Sequence, residues 1–447
     1  MKKLIIIFFA AFSLHFAVQT ATGEARLIII PLEETESIVV TYDGQLNFVD
    51  RNFRQYEGRQ NDDGSFEVII PLTRPQYFLL GRNYLFLSPS DNLTIHFNPS
   101  FPEQTKIDGI GAEVNRYLRN RFFIRGGSFL RAGSLNVMRP TFEGTFVIVD
   151  SLVKARQQDL AELDADEKFK EQERIRIKAD FVNSLFYFPL YAHNIFGNLS
   201  GEERAQKMRE YHDQIRGIVQ PLLDEMSTDP RFLDIDVVRT VMFHFLFEGY
   251  SIASERFHEL FAVADRSNRM RGTIPQQQFN EHLAFGETIQ CEELREVFLN
   301  RLQRHSRFAS GAPAIDVNVI NLDGLEKLLS DYKGRVMYVD IWATWCGPCR
   351  REKPFFRALS KEYENIHFIA ISVDDNTRIW NNFMNTQTDH ARITNLWARS
   401  TLRQDWDIVT IPRFLLIDEN FRIISADAPR PSDTERIRAL LEYHNNR

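Results

Sequence analysis

DIWATWCGPCRREKP, residues 340–354, holds two cysteines separated only by Gly347 and Pro348. The run before it, VMYVDIW at 336–342, is continuously apolar apart from one aspartate and reads as a buried strand, and residues 349–364 read as a helix. Cys346 therefore falls where a short loop enters the first helical turn. Unpaired backbone N–H groups and the helix dipole favour a thiolate over a thiol at that position, so the spacing predicts Cys346 as the nucleophile, with a pKa below the ordinary cysteine value of about 8.5. Cys349, one turn further in, is placed to displace whatever Cys346 captures and is expected to be the more buried. Pro348 suits a first helical turn, and Gly347 leaves the neighbouring sulfur accessible.

Two other uses of such a pair are weak. Tetrahedral zinc needs four ligands, and the chain has neither a second CxxC nor a nearby histidine pair. A disulfide closing so short a loop is a poor staple. Redox chemistry is the reading that remains. Downstream, IHFIAISV at 366–373 reads as a second buried strand, RFLLID and RIIS as a hairpin turning at Glu419-Asn420, and Ser432 with Glu435 as the cap of a final helix. The order is βαβ, a long insert at 376–409, then ββα.

On these residues the chain resembles a known family. WATWCGPCR matches the thioredoxin motif, and VDIWATWCGPCRREKP is similar to the TlpA/ResA-like thiol-disulfide oxidoreductases of bacterial envelopes. The resemblance covers about residue 314 to the C-terminus and implies a thioredoxin fold for 314–447. It further implies that Asp340 is the buried acid assisting proton transfer at Cys349 and that Glu352 and Pro354 are the glutamate and proline of the family's active-site helix. Pro412 in VTIPRF is then the cis-proline opposite the dithiol. Physical reasons stand beside these assignments: an ionisable group on a buried strand has its pKa raised, which suits proton shuttling near neutrality. A cis bond at Ile411-Pro412 would let Ile411 pair with an extended client segment. Trp345 is expected to shield the disulfide and offer an apolar docking surface, and Trp342 to pack. Arg413 stands where the family usually has a small hydroxyl residue; aimed at the dithiol, it would favour the thiolate and acidic partners.

The remaining chain reads as two further regions. Residues 24–110 hold short β-type runs (LIII, SIVVTYDGQLNFV, FEVIIPL, YFLLGRNYLFL, LTIHF) broken by Asp43-Gly44 and Asp63-Gly64, the pattern of an all-β sandwich-like domain. Residues 111–307 take a helical period: a capping box at Ser200 and Glu203 opens a helix with Met208, Tyr211, Ile215, Val219 and Leu222 on one face, ended or kinked by Pro221. The charged stretch 154–178 reads as one solvated helix, and the Phe-rich segment around His244 as core. Residues 308–313 read as a linker. Asn-x-Ser/Thr triplets at Asn92 and Asn198 carry no inference.

With 447 residues, several domains are expected. A net charge of −7 offers no basic excess for phosphate, so nucleic acid is not an expected partner. Lys2 and Lys3, the apolar run 4–18 and the small polar stretch 19–23 have the layout of a secretory signal; a run of 15 residues is short of the roughly 20 that span a bilayer. The mature chain is expected from Glu24, in the periplasm or cell envelope, without a transmembrane segment. Only three cysteines occur, so no disulfide framework supports the fold, and Cys291 reads as a buried or half-buried structural thiol.

The expectation is an exported thiol-disulfide oxidoreductase. Its only redox group is the Cys346-Cys349 pair, with no metal or other cofactor. Cys346, Cys349 and Asp340 are the catalytic residues, Trp345, Gly347, Pro348, Ile411, Pro412 and Arg413 contact the client, and Glu352 tunes the dithiol. Partners are client-protein disulfides, apocytochrome c among the candidates, and an envelope dithiol donor. A dithiol oxidase or isomerase, or a client-binding module in which the dithiol only tethers, are the rival readings.

Overall fold

The computed structural model describes residues 23–445 except 36, 52, 120–123, 132–136, 198, 271, 388–391 and 399–400. The expected leader up to residue 22 and Asn198 lie outside the described residues.

The N-terminal strands are β1 (Gly23–Pro31), β2 (Val39–Tyr42), β3 (Gln55–Glu57), β4 (Arg59–Gln60), β5 (Phe66–Leu72), β6 (Gln76–Leu80), β7 (Asn83–Leu87), β8 (Asn92–Phe97) and β9 (Lys106–Ile110). They form one sheet in the order β4-β5-β1-β8-β9 and a second in the order β3-β2-β6-β7. Alternation sets the faces: Phe66, Val68, Ile70 and Leu72 of β5 point inward together. QLNFV departs from the expectation. It is a short helix, α1 (Gln45–Val49), because Leu46 and Val49, a helical spacing apart, are the residues it buries with Gln45.

The helices that follow are α2 (Ala112–Leu118), α3 (Phe142–Glu162), α4 (Glu167–Tyr191), α5 (His193–Phe196), α6 (Gly201–Met226), α7 (Asp236–Phe247), α8 (Glu255–Asn268), α9 (Gln276–Thr288) and α10 (Glu292–His305). Two expectations are corrected here. The stretch 154–178 is not one solvated helix: it breaks after Glu162, and Asp166 caps α4 by accepting the Lys168 N–H at 2.8 Å. Its charges are partly buried and paired, with Arg176 Nε donating to Glu173 at 2.7 Å and Nη1 to Asp236 at 3.0 Å, while the Tyr77 hydroxyl of β6 donates to Glu173 at 3.0 Å. Pro221 does not end α6, which continues to Met226. Val219, Leu223 and Met226 are buried on either side of it, and that packing outweighs the roughly 3 kcal/mol an interior proline costs. The Ser200–Glu203 capping box is present as expected, and His244 stacks on Phe186. One continuous core runs from Ala25 to Leu302, so the strands and the helices bury their apolar faces against each other.

A second core runs from Phe308 to Leu441. Phe308 already belongs to it, and the Gly311 N–H donates to the Ile423 carbonyl at 2.7 Å, so the stretch 308–313 is packed rather than free. The elements are β10 (Asn318–Asn321), β11 (Glu326–Leu328), β12 (Met337–Trp342), α11 (Gly347–Glu362), β13 (His367–Ser372), α12 (Thr377–Asn385), β14 (Ile393–Ala398), α13 (Thr401–Asp405), β15 (Arg413–Ile417), β16 (Ile423–Ser425) and α14 (Thr434–Asn445). They build a sheet in the order β11-β10-β14-β13-β12-β15-β16, with β12, β13 and β14 parallel and β15 antiparallel to β12. The insert supplies α12 and β14, extending the sheet beyond β13. All six residues of β12 are buried, which explains why its run is apolar but for Asp340. Among the described residues no helix is long and apolar enough to cross a membrane.

Candidate functional site

Cys346 is the N-cap of α11, with Gly347 and Pro348 in the first turn, both exposed. Its sulfur accepts the Cys349 N–H at 3.1 Å, an N-cap contact made by sulfur in place of the usual oxygen. The two sulfurs are joined at 1.99 Å. Cys349 is fully buried and Cys346 nearly so, whereas Trp345 beside them is 63% exposed. Attack from outside can therefore reach only the Cys346 side, and a broad indole lies next to it.

The loop carrying the pair is held from beneath. Thr344 donates its N–H and hydroxyl to Asp374, the hydroxyl at 2.7 Å, and the Ser372 hydroxyl donates to the same carboxylate at 2.6 Å. Asp374 is buried just past the end of β13, and sequence reasoning missed it because it lies thirty residues from the loop it supports. Across the cleft the Ile411–Pro412 bond is cis, and the Ile411 carbonyl oxygen lies 3.8 Å from Cys346 Sγ.

Asp340 sits mid-strand in β12 and is 1% exposed, and its Oδ1 has no hydrogen-bond partner. Burial pushes its carboxyl from 3.8 up to about 7; Lys353 pulls it down and Glu352 pushes it further up. Lys353 is the second residue that sequence reasoning missed. Its ammonium lies 3.1 Å from the centroid of the buried Trp342 ring, and burial lowers it from 10.5 to about 8 against the opposing pull of Asp340. Asp340 and Lys353 line one small cavity of about 20 Å³, room for a single water, together with Arg357, Gln387 and Asn395. The spacing held a clue, since Lys353 is one helical turn from Cys349 on the side of α11 that faces the sheet.

Glu352 is buried and satisfied: Ser432 donates its N–H at 3.0 Å and its hydroxyl at 2.9 Å. Ser432 was expected as a helix cap, but a buried carboxylate needs donors and takes this one. Arg413 is buried too. Its guanidinium donates to the Ala426 carbonyl at 3.3 Å and lies 3.5 Å from Asp427, so its charge is engaged at the β15–β16 side of the sheet. Among the described residues no group of three or more His, Cys, Asp or Glu is arranged to hold a metal ion. Cys291 is free and half-buried at the N-cap of α10.

Comparison with known proteins agrees with this geometry. Residues 309–441 match the Redoxin family model. The thiol-disulfide oxidoreductase ResA of Geobacillus thermodenitrificans is 26% identical over 134 residues, which cover 28% of this chain and 74% of ResA. Thioredoxin from Callithrix jacchus is 43% identical over 53 residues, covering 12% of this chain and 50% of that protein. A crystal structure described as a thiol-disulfide oxidoreductase from Bacteroides vulgatus is 41% identical, covering 31% of this chain and 99% of that one, with a TM-score of 0.30. The C-terminal third is thus a ResA-like thiol-disulfide oxidoreductase domain of the thioredoxin superfamily, with a thioredoxin-type redox-active disulfide.

Proposed function

We propose that this chain is an exported reductase of disulfides in client proteins of the cell envelope, working through Cys346 and Cys349. The observation that carries the reading is the placement of Cys346 at the start of α11, its sulfur already accepting a backbone N–H where a thiolate would need one. In the reduced state the Cys346 thiolate attacks a client disulfide, forming a mixed disulfide and releasing one client thiolate. Asp340 takes the Cys349 proton, and the Cys349 thiolate then attacks the Cys346 sulfur. The second client thiolate leaves, and the pair ends as the disulfide seen here. Two electrons have passed to the client. An envelope dithiol donor returns two electrons to restore the dithiol.

The client chain lies against Trp345, Gly347 and Pro348, and its backbone pairs with Ile411 beside Pro412. Arg413, held by Ala426 and Asp427, is left out of that contact set. Glu352 tunes the pair from beneath. Export rests on the leader-like pattern of residues 1–23. Cytochrome maturation is the candidate pathway, with apocytochrome c as client. The test is covalent capture. Cys349→Ser in cells should stall the exchange and accumulate mixed disulfides to Cys346, which Cys346→Ser abolishes. Absence of any captured thiol protein, with both variants retaining wild-type insulin reduction, would overturn the reading.

A further inference from the structure

The loop that leads into Ile411–Pro412 is held by residues from outside the thioredoxin-like sheet. Arg301 and His305 lie in the last turns of α10, both almost fully buried. Arg301 Nη1 donates to the Val49 carbonyl at 2.7 Å and to the Ser267 hydroxyl at 2.9 Å, which fixes the guanidinium on the N-terminal core. Its Nη2 is 3.5 Å from Asp407 Oδ2, and His305 Nδ1 is 3.6 Å from the same oxygen. Neighbouring contacts repeat the pattern. Arg307 Nη2 donates to the Asp405 carbonyl at 3.1 Å, and the Phe308 ring stacks on Trp406 at 5.9 Å with the planes 19° apart.

Each of residues 405, 406 and 407 is thus gripped by a residue between 301 and 308. Asp407 also has φ of 48°, a left-handed conformation that aspartate and asparagine adopt more readily than other non-glycine residues. The next two carbonyls, of Ile408 and Val409, accept from Arg403 at 3.3 and 2.8 Å, and Ile411 lies two residues beyond Val409. The carboxyl of Asp407 agrees with this: burial works to raise it, but His305, Arg301 and Arg304 hold it down at about 2.

We propose that Arg301, His305 and Phe308 are positioning residues for thiol-disulfide exchange, acting through Asp407 and Trp406 to fix the loop on which Ile411 meets the client backbone. This rests on the proposed role of Ile411 in client pairing. It assigns the end of α10, with Phe308 just beyond it, a part in the reaction: these residues set how well an extended polypeptide docks beside Cys346 while leaving the sulfur chemistry to α11. A small displacement of a docking group is enough to lose binding energy needed for a polypeptide, but a disulfide too small to reach Ile411 is indifferent to it.

The experiment uses the full chain, with dithiothreitol supplying electrons and either insulin or hydroxyethyl disulfide as oxidant. Asp407→Asn keeps the shape and tolerates the left-handed backbone while removing the charge; Phe308→Leu keeps an apolar filler while removing the ring stack. Both variants should raise KM for insulin about tenfold, with kcat and the hydroxyethyl disulfide rate changed by less than about twofold. An unchanged insulin KM in both variants would overturn the proposal, as would insulin and small-disulfide rates falling together. If wild type itself fails to reduce insulin, the functional reading falls first, and the two failures are told apart.

Discussion

Asp340 shows how much one buried carboxyl can decide. With its pKa raised to about 7, it is partly ionised at neutral pH and can accept a proton that an ordinary aspartate could not hold. Asp340→Asn should leave the attack of Cys346 nearly intact and slow the resolving step by about a hundredfold, read as a long-lived mixed disulfide in stopped-flow with a labelled peptide. Stability must respond in the opposite sense. The folded pKa lies above the unfolded 3.8, so the native chain binds the extra proton. Its stabilising contribution is fully present below about pH 4 and lost as pH rises through about 7. Urea melts should find Asp340→Asn close to wild type at the acid end of that window and more stable by on the order of a few kcal/mol at its alkaline end.

Elements differ in how openly the sequence declares them. β12, α11 and the β15–β16 hairpin were legible because their signals are local: an apolar run broken only by Asp340, a CxxC at a helix entry, a turn dipeptide between strands. α1 was hidden because QLNFV follows an alternating segment and is too short for its own period to show. The burial of charges within α4 was hidden for a different reason. Glu173 and Arg176 look solvated in sequence, and only the fold brings Tyr77 and Asp236 to them. The same holds at the site. Cys346 and Cys349 were proposed from spacing and Asp340 from the family resemblance, whereas Asp374 under Thr344, Ser432 on Glu352 and Asp407 under Arg301 are contacts between residues from thirty to over a hundred positions apart.

At the scale of the molecule, two cores meet where Arg301 and His305 of α10 approach Asp407. The N-terminal core depends on its buried ion network, where Arg176 bridges Glu173 and Asp236 and lies over the Tyr77 ring. Removing the cation leaves buried carboxylates uncompensated, so Arg176→Met should cost about 3–5 kcal/mol in denaturant melts of the N-terminal transition. Reaction of the isolated dithiol with a small disulfide at low temperature, where the chain stays folded, should be unchanged. A loss of small-disulfide reactivity matching the loss of stability would show the two cores to be one cooperative unit.

The central claim is chemical: α11 makes one sulfur a better nucleophile than a cysteine elsewhere in the chain. The direct measurement is the rate of alkylation by iodoacetamide against pH in the fully reduced Cys291→Ser protein, with Cys346→Ser as control. The account predicts a fast phase that belongs to Cys346 and reaches half its maximum well below the ordinary thiol value of about 8.5. A single slow phase rising only near that ordinary value, in a protein that leaves insulin oxidised, would contradict it.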